Sequence, residues 1–588
     1  MLRKILAGCG VIMLILSAFL PGMAPAASAQ RAANAARGGL PAAPTFPVVD
    51  PNYIYQQLYS LVTRFPHREA GYDTNLPPSV NGHDEFAAAW ADEMTHDLAG
   101  FGPQVRQDTF HISGWSGRPA TTPAFNVEVT VPGVTDPAHE VVIGCHYDGM
   151  AFSTQSANDD GSGCAIELGV AKALGDYWRA NHLYPARTLR FVIFDAEEQG
   201  IFGSFHYVND TVNGDLNTIV AMFNEEQSGI AYPLRYLGRA ANPLLPFYAY
   251  LTPLTNSQNY PAQNQLSPAQ QQSITQFRSL MAQAVPPVFA AFQALGYQTL
   301  TYHGSNGADV SQPVFSTDQT GNIKVGDDTI GSSDQFAFTL AGLPCVTFAG
   351  NSTYYDDNPP PWSYPYDQPE DTIQLMNTFA NGSAQQSQAL TLALALPGMF
   401  TTWMLSQPGV LGQVSWDHRP IAAISDIGQA QPGKPLTLDA KAAYNPANPS
   451  AAFTYAWDFG DGATASGVSV THTYAASGDY TLTLSVTSAS GTRKISKLVT
   501  VTNQPPNYAN PYGNFQSDGM PPGNPQVQLP SLNGSQPPAT QSNSSTSGNF
   551  AQTLTIVVFG IAGLALLALI IVLLVLFLSS RSRRRMAS

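Results

Sequence analysis

Charge is what this 588-residue chain most lacks: Asp, Glu, Lys and Arg make up 11% of it, against about 25% in ordinary globular chains. Basic residues are the scarcer kind, 26 Lys and Arg facing 41 Asp and Glu for a formal charge of −15. No basic patch stands out before the last few residues, which argues against nucleic acid and anionic membrane surfaces as partners. A surface made of Asn, Gln, Ser and Thr loses little when carboxylates protonate, and this predicts tolerance of an acidic external medium. Cysteine is scarce as well. Of the four, Cys9 falls in an apolar leader, and Cys145, Cys164 and Cys345 are an odd set in apolar surroundings. They read as small core residues and not as a disulfide framework, with a Cys145–Cys164 bridge as the alternative.

Long hydrophobic runs are few, and two of them frame the chain. Residues 1–29 combine Arg3 and Lys4, an apolar run from Ile5 to Leu20 and a small-residue Ala27-Ser28-Ala29 end, the pattern of a secretory signal peptide. Leu554 to Leu578 carries no charge and, at about 25 residues, is long enough to cross a hydrocarbon core of ~30 Å. Arg581, Arg583, Arg584 and Arg585 follow at once, so the tail (579–588) is expected in the cytoplasm and everything before the span (553–578) outside. The length is too great for one core. A linker (30–48) leads into a first domain (49–405). Within it, residues 231–331 form a long polar segment expected to wall the substrate site.

The chemistry concentrates between Val141 and Ser204. A buried strand, Val141 to Gly144, delivers His146 and Asp148 at its carboxyl end, the edge where open α/β sheets bind ligands. Asp159 and Asp160 lie in a Gly-rich turn before a helix predicted over Ala165 to Tyr177. A second strand, Thr188 to Phe194, ends in Asp195-Ala196-Glu197-Glu198, and a third, Ile219 to Phe223, ends in Asn224-Glu225-Glu226. So many carboxylates cannot all stay ionised a few ångströms apart. A bound cation removes the conflict, whereas helix capping or solvation explains one such acid but not a series at successive strand ends.

The motifs HYDG, ANDDGSG and FDAEEQGIFGS resemble those of the zinc aminopeptidases of peptidase family M28, in the family's order and spacing. The resemblance implies a mixed-sheet, zinc-exopeptidase-like α/β domain with helices on both faces and two divalent metal ions. It implies His146 as a ligand of one metal, Asp159 as the bridge, Glu198 as a ligand of the second and Glu197 as general base toward the metal-activated water. Glu226 stands where the family usually has an Asp ligand. Asp148 is the natural partner for the second nitrogen of His146. Downstream, GSSDQFAF resembles the family's "SDHxxF" element with Gln335 in place of His. The family's last ligand, a His in "YHTxxDT", corresponds to Asp367 in YDQPEDT, and Tyr366 matches the tyrosine that stabilises the oxyanion. One His among carboxylates is a harder donor set, which opens the zinc site to manganese, magnesium or calcium. Aspartate protonates near ~3.9 where histidine does so near ~6.5, so Asp367 also keeps a ligand competent in acid.

After a linker (406–418), residues 419–502 alternate in short strand-like runs. The run Trp457-Asp458-Phe459-Gly460-Asp461-Gly462, followed by His472-Thr473-Tyr474, resembles a PKD domain, an Ig-like β-sandwich that implies docking to a surface polymer or protein. Trp457 reads as its core aromatic. Residues 503–552 are rich in Pro, Asn, Gln, Ser and Gly and read as an extended stalk. The expectation is a membrane-anchored, extracellular metallo-aminopeptidase acting on peptides or proteins. Its rivals are a catalytically degenerate binding or adhesion protein and a single-metal glutaminyl-cyclase-like enzyme.

Overall fold

The computed structural model describes residues 45–71, 82–112, 122–151, 153–230, 247–297, 299–303, 309–313, 323–329, 331–350, 368–381, 386, 388–504 and 507–511. The expected leader, membrane span and tail lie outside these residues, as do most of the stalk and both Tyr366 and Asp367.

In chain order, the first domain has strands β1 (Gln104–Ile112), β2 (Thr122–Val131), β3 (Asp136–His146), β4 (Leu183–Pro185), β5 (Arg187–Phe194) and β6 (Ile219–Glu225). There follow β7 (Phe247–Leu251), β8 (Thr299–His303), β9 (Asp309–Pro313), β10 (Ile323–Asp327) and β11 (Cys345–Ala349). Its helices are α1 (Pro51–Arg64), α2 (His83–Asp97), α3 (Gly161–Asn181), α4 (Phe202–His206), α5 (Pro268–Ala294), α6 (Gln335–Leu340), α7 (Ile373–Asn381) and α8 (Gln388–Ser406). Eight strands make one mixed sheet in the order β1-β2-β5-β3-β6-β11-β7-β10. The central strands β5, β3, β6 and β11 run parallel. Within 231–331, β7 and β10 extend this sheet and α5 packs into its core.

The central strands are apolar without interruption because both faces are covered. From β3, Val141, Ile143 and Cys145 face the core shared with α1, α2, α3, α5 and α8. Val142 faces the other way, with Val192, Met222 and the Phe336 and Phe338 of α6. The helix expected from Ala165 starts earlier, at Gly161, since the Asp160 side chain caps it by accepting from the Gly163 amide. A Cβ at Gly163 would lie 2.1 Å from the Glu225 carbonyl oxygen, so a glycine lets α3 begin against the end of β6.

Pro286 and Pro287 sit inside the single helix α5. Its stripe of Phe277, Met281, Ala284, Val288 and Phe292 is buried without a break. That burial outweighs the backbone bonds forfeited at Pro286 and Pro287. The helix α8 likewise runs through Pro397. Among the described residues it alone is long and apolar enough to cross a membrane, yet its residues from Ala389 to Thr402 are buried in the core.

The strand β12 (Gln413–Ser415) pairs with β4 and leads to the second domain. Strands β13 (Leu436–Asp439), β14 (Thr454–Asp458), β15 (Thr464–Ser466), β16 (Ser469–His472), β17 (Gly478–Ser488) and β18 (Gly491–Val501) follow. They form a β-sandwich from a β15-β14-β17-β18 sheet and a β13-β16 pair. Its core holds Trp457, which is 1% exposed, with Leu438, Leu484, Val486 and Ile495.

Candidate metal centre

The parallel strands β3, β5 and β6 deliver their carboxyl ends to one edge, with His146 opposite Phe194 and Gly144 opposite Asn224. His146 is buried, and its Nε2 lies 3.0 Å from Asp159 Oδ1, 3.9 Å from Glu226 Oε1 and 4.0 Å from Glu197 Oε2. Two ligand clusters share this imidazole: His146–Asp159–Glu198 and His146–Asp160–Glu226, each with its ligand atoms within 4.8 Å of one another. Glu197 is in neither. The sequence reading assigned Asp160 no metal, and the structure places its carboxylate between two tasks. Oδ1 accepts from the amides of Gly163 and Gln227, while Oδ2 is buried without a hydrogen-bond partner among the described residues.

The electrostatics of these groups suit a bound cation. Burial, then repulsion from Glu226, pushes the Asp160 carboxyl well above its ordinary range. Burial does the same to Glu197, against the pull of His146 and with repulsion from Asp334 and Glu226. Burial alone would lower His146, but Glu197 and contacts with Asp148, Asp159 and Glu226 raise it well above its usual value. Oxygen donors with one imidazole, one buried oxygen left unpartnered and repulsion that only positive charge relieves fit a divalent ion.

Neighbouring groups fix these side chains. Asp148 accepts from the amides of Glu197 (3.0 Å) and Glu198 (3.2 Å), and its Oδ1 lies 3.5 Å from His146 Nδ1. Asp195 points away, its carboxylate taken by His83 Nε2 at 2.9 Å and the Phe125 amide at 2.8 Å. Ser333, held at a left-handed φ of 68°, donates to Glu226 Oε2 at 2.5 Å. Gln227 Nε2 donates to Asp159 Oδ2 at 3.0 Å. Gln335 donates to Asp328 and accepts from Asn224, which also donates to Ser333.

Two side chains and a disulfide support these residues from outside the clusters. Arg68 is buried and donates to the carbonyls of Tyr147, Gln155 and Ser156. Asp371 accepts from the amides of Asn158 (2.9 Å) and Asp159 (3.0 Å), so the turn before α7 is tied to the loop bearing Asp159. Cys145 and Cys164, expected as separate small core residues, are joined in a disulfide that links the end of β3 to the first turn of α3. Their Cα atoms stand 5.5 Å apart because the strand and helix that carry the site pack directly on each other. A third acidic cluster, Glu93, His96 and Asp97, lies on α2 beside the Tyr53 hydroxyl, away from this edge.

Residues 126–308 match the model of peptidase family M28, and residues 417–503 match that of the PKD domain. Among curated proteins the chain is similar to aminopeptidase YwaD of Bacillus subtilis, 34% identical over 92 residues that are 16% of this chain and 19% of the relative. It is also similar to leupeptin-inactivating enzyme 1 of Streptomyces exfoliatus, 32% identical over 214 residues that are 35% of this chain and 42% of the relative. The chain thus spans less than half the length of either. Among solved structures, a zinc aminopeptidase from Bacillus subtilis aligns with a TM-score of 0.39 and 14% identity, covering 63% of this chain and 95% of that one. A glutaminyl cyclase of Porphyromonas gingivalis aligns with a TM-score of 0.37 and 15% identity, covering 61% and 98%. Residues 126–308 belong to peptidase family M28, and a PKD domain follows them at residues 417–503.

Proposed function

We propose that residues 49–405 form a metal-dependent aminopeptidase that removes amino-terminal residues from peptides outside the cell. A signal peptide (1–29) exports it, and a membrane span (553–578) anchors it behind a stalk (503–552). The observation that carries the reading is the placement of Glu197. It stands 4.0 Å from the imidazole common to both clusters, yet contributes to neither.

His146, Asp159, Asp160, Glu198 and Glu226 would hold the divalent ions, zinc being the first expectation, with Asp367 as a further ligand. Bound there, such ions acidify a water, polarise the scissile carbonyl and offset the carboxylates. Asp159 would supply its carboxylate to the position it shares with His146 and Glu198, and Glu226, whose Oε2 accepts from Ser333, would supply its own to the other. Glu197 takes the proton of the attacking water at its carboxylate and returns it to the leaving amine. Asp148 aims this base by holding the amides of Glu197 and Glu198. Tyr366 steadies the developing oxyanion.

The test is hydrolysis of a panel of aminoacyl reporter substrates by the detergent-solubilised full chain, with metal content measured on the same sample. Glu197→Gln is expected to lower kcat by ~10²–10⁴-fold while metal content stays the same. No hydrolysis with zinc, manganese, magnesium or calcium, or full activity in Glu197→Gln, refutes the proposal. Pyroglutamate formed from a Gln-peptide without hydrolysis would assign the site to cyclisation.

A further inference from the structure

The second domain meets the first through buried charge. Along one face of the central sheet, Arg106 on β1 stands opposite Glu128 on β2, and Arg190 on β5 and Glu140 on β3 continue the row. The PKD domain sets two charges onto it. Asp426 accepts from both Arg106 and Arg190. Lys497, on β18, donates to Glu140 at 2.9 Å and to Asp215 at 3.0 Å. Asp215 also accepts from the Ile427 amide at 2.8 Å, and Tyr207 donates to Glu128 at 2.6 Å. The side chains of Lys497, Glu140 and Asp215 are at most 1% exposed.

The alternation of β18 carries the sign of this contact. Ile495 and Val499 point inward, and Lys497 sits in the same inward phase while Leu498 faces solvent at 40% exposure. A lysine there is tolerable only if the carboxylates that receive it come with the fold. The backbone is matched as well: a Cβ at Gly214 would come within 2.1 Å of the Ile427 carbonyl oxygen. Ala138 of β3 lies in the sandwich core with Ile424 and Ile427. Beyond β18 the chain returns to the first domain, where Tyr508 exchanges hydrogen bonds with Asn209 and Asn510 donates to the carbonyl of Gly200. Gly200 closes the loop that bears Glu197 and Glu198.

We infer that the partner of this PKD domain is the catalytic sheet of its own chain, and that the domain is a fixed brace held by the buried charges around Asp426 and Lys497 instead of a tethered docking module. Glu140 and Arg190 lie on the strands that end at His146 and before Glu197, so the brace sets the relative position of the strands that carry the site. The inference does not depend on the proposed peptidase activity.

The experiment inserts a specific protease site between Ser415 and Trp416 of the full chain, cleaves it, and follows both fragments by size exclusion. In about 1 M NaCl, which screens exposed pairs far more than buried ones, the fragments of the wild type are expected to co-elute. Separation would overturn the inference. In Asp426→Asn/Lys497→Met, first checked uncut for wild-type circular dichroism and elution, the cleaved fragments are expected to separate. Should the double variant misfold, Lys497→Met alone is cleaved. Variant fragments that stay together in salt overturn the assignment of the hold to these charges.

Discussion

The guanidinium of Arg68 is the best single place to perturb the candidate site without touching a ligand. It is 1% exposed, donates to the carbonyls of Tyr147 (2.6 Å), Gln155 (2.5 Å) and Ser156 (3.0 Å), and lies 4.4 Å above the Phe86 ring. Burial lowers its pKa to about 10 against the attraction of Asp371, Asp148, Asp160 and Glu198, so it is still a cation at neutral pH. Arg68→Met keeps the stem and removes every donor. Each carbonyl left buried and unpaired costs ~1–3 kcal/mol. The contacts to Tyr147 and Ser156 are fully buried, whereas that to Gln155 is partly open to water. With the lost cation–π contact, the expected destabilisation is about 4 kcal/mol, a large part of the ~5–15 kcal/mol that holds a typical native protein. The carbonyls flank candidate ligands, Tyr147 following His146 and Ser156 preceding Asn158 and Asp159, so metal affinity is expected to drop ~10–100-fold as well. Urea unfolding of metal-free protein reads the first effect, and competition with a chromophoric chelator reads the second. Arg68→Lys restores the charge but not the three-way fork and is expected to recover only part of either loss. A folded Arg68→Met protein with wild-type metal affinity would refute the argument that this residue shapes the site.

Asp371→Asn keeps one acceptor for the amides of Asn158 and Asp159 but not the charge; chelator competition is expected to show metal bound ~10-fold more weakly, and unchanged affinity would remove Asp371 from the site's support. Asp215 carries a pH signature: burial pushes its carboxyl from 3.8 up to about 6, with Lys497 pulling it down only in part. A raised carboxyl stabilises the fold fully below its unfolded value, and that contribution is lost as pH rises through the folded value. Urea unfolding should therefore give Asp215→Asn a smaller gain on going from about pH 7 to about pH 4, by roughly 2 kcal/mol; a pH dependence equal to the wild type's contradicts the assignment. Asp426 acts in the opposite sense and only in stronger acid, because Arg106 and Arg190 overcome its burial and hold it below its usual range. Reduction of Cys145–Cys164, which closes a loop of sequence separation 19, is expected to cost about 3 kcal/mol, and alkylation of unreduced, denatured protein should label Cys345 but neither of the pair.

Much of the candidate site was legible because strand ends and candidate ligands coincide in sequence. The apolar runs that became β3, β5 and β6 each stop within two residues of an acid or imidazole, and two-sided burial leaves such runs little ambiguity. What was not legible depends on contacts across long stretches of chain. Arg68 reaches carbonyls 79 to 88 residues away, and Asp371 reaches an amide 212 residues back; neither leaves a local pattern. Prolines 286, 287 and 397 lie inside helices for a related reason, since the cost they impose is local and the burial that offsets it is tertiary. Lys497 did leave a trace, a charge in the inward phase of a strand beside an outward leucine, which means something only when a second domain covers that face.

That same lysine sets an order of events in synthesis. Its bond to Glu140 spans 357 residues, and contacts so distant in sequence form late and slowly. While the chain is being made amino end first, β3 and its charges emerge long before β18 exists to cover them. The charged face of the sheet must then wait in water, where its ions stay hydrated and do not seek wrong partners as an apolar face would. A seam built of charge is therefore suited to a fold whose halves arrive at different times, and the strands that lead to His146, Glu197 and Glu198 reach their final setting only once the last strand of the second domain has been made.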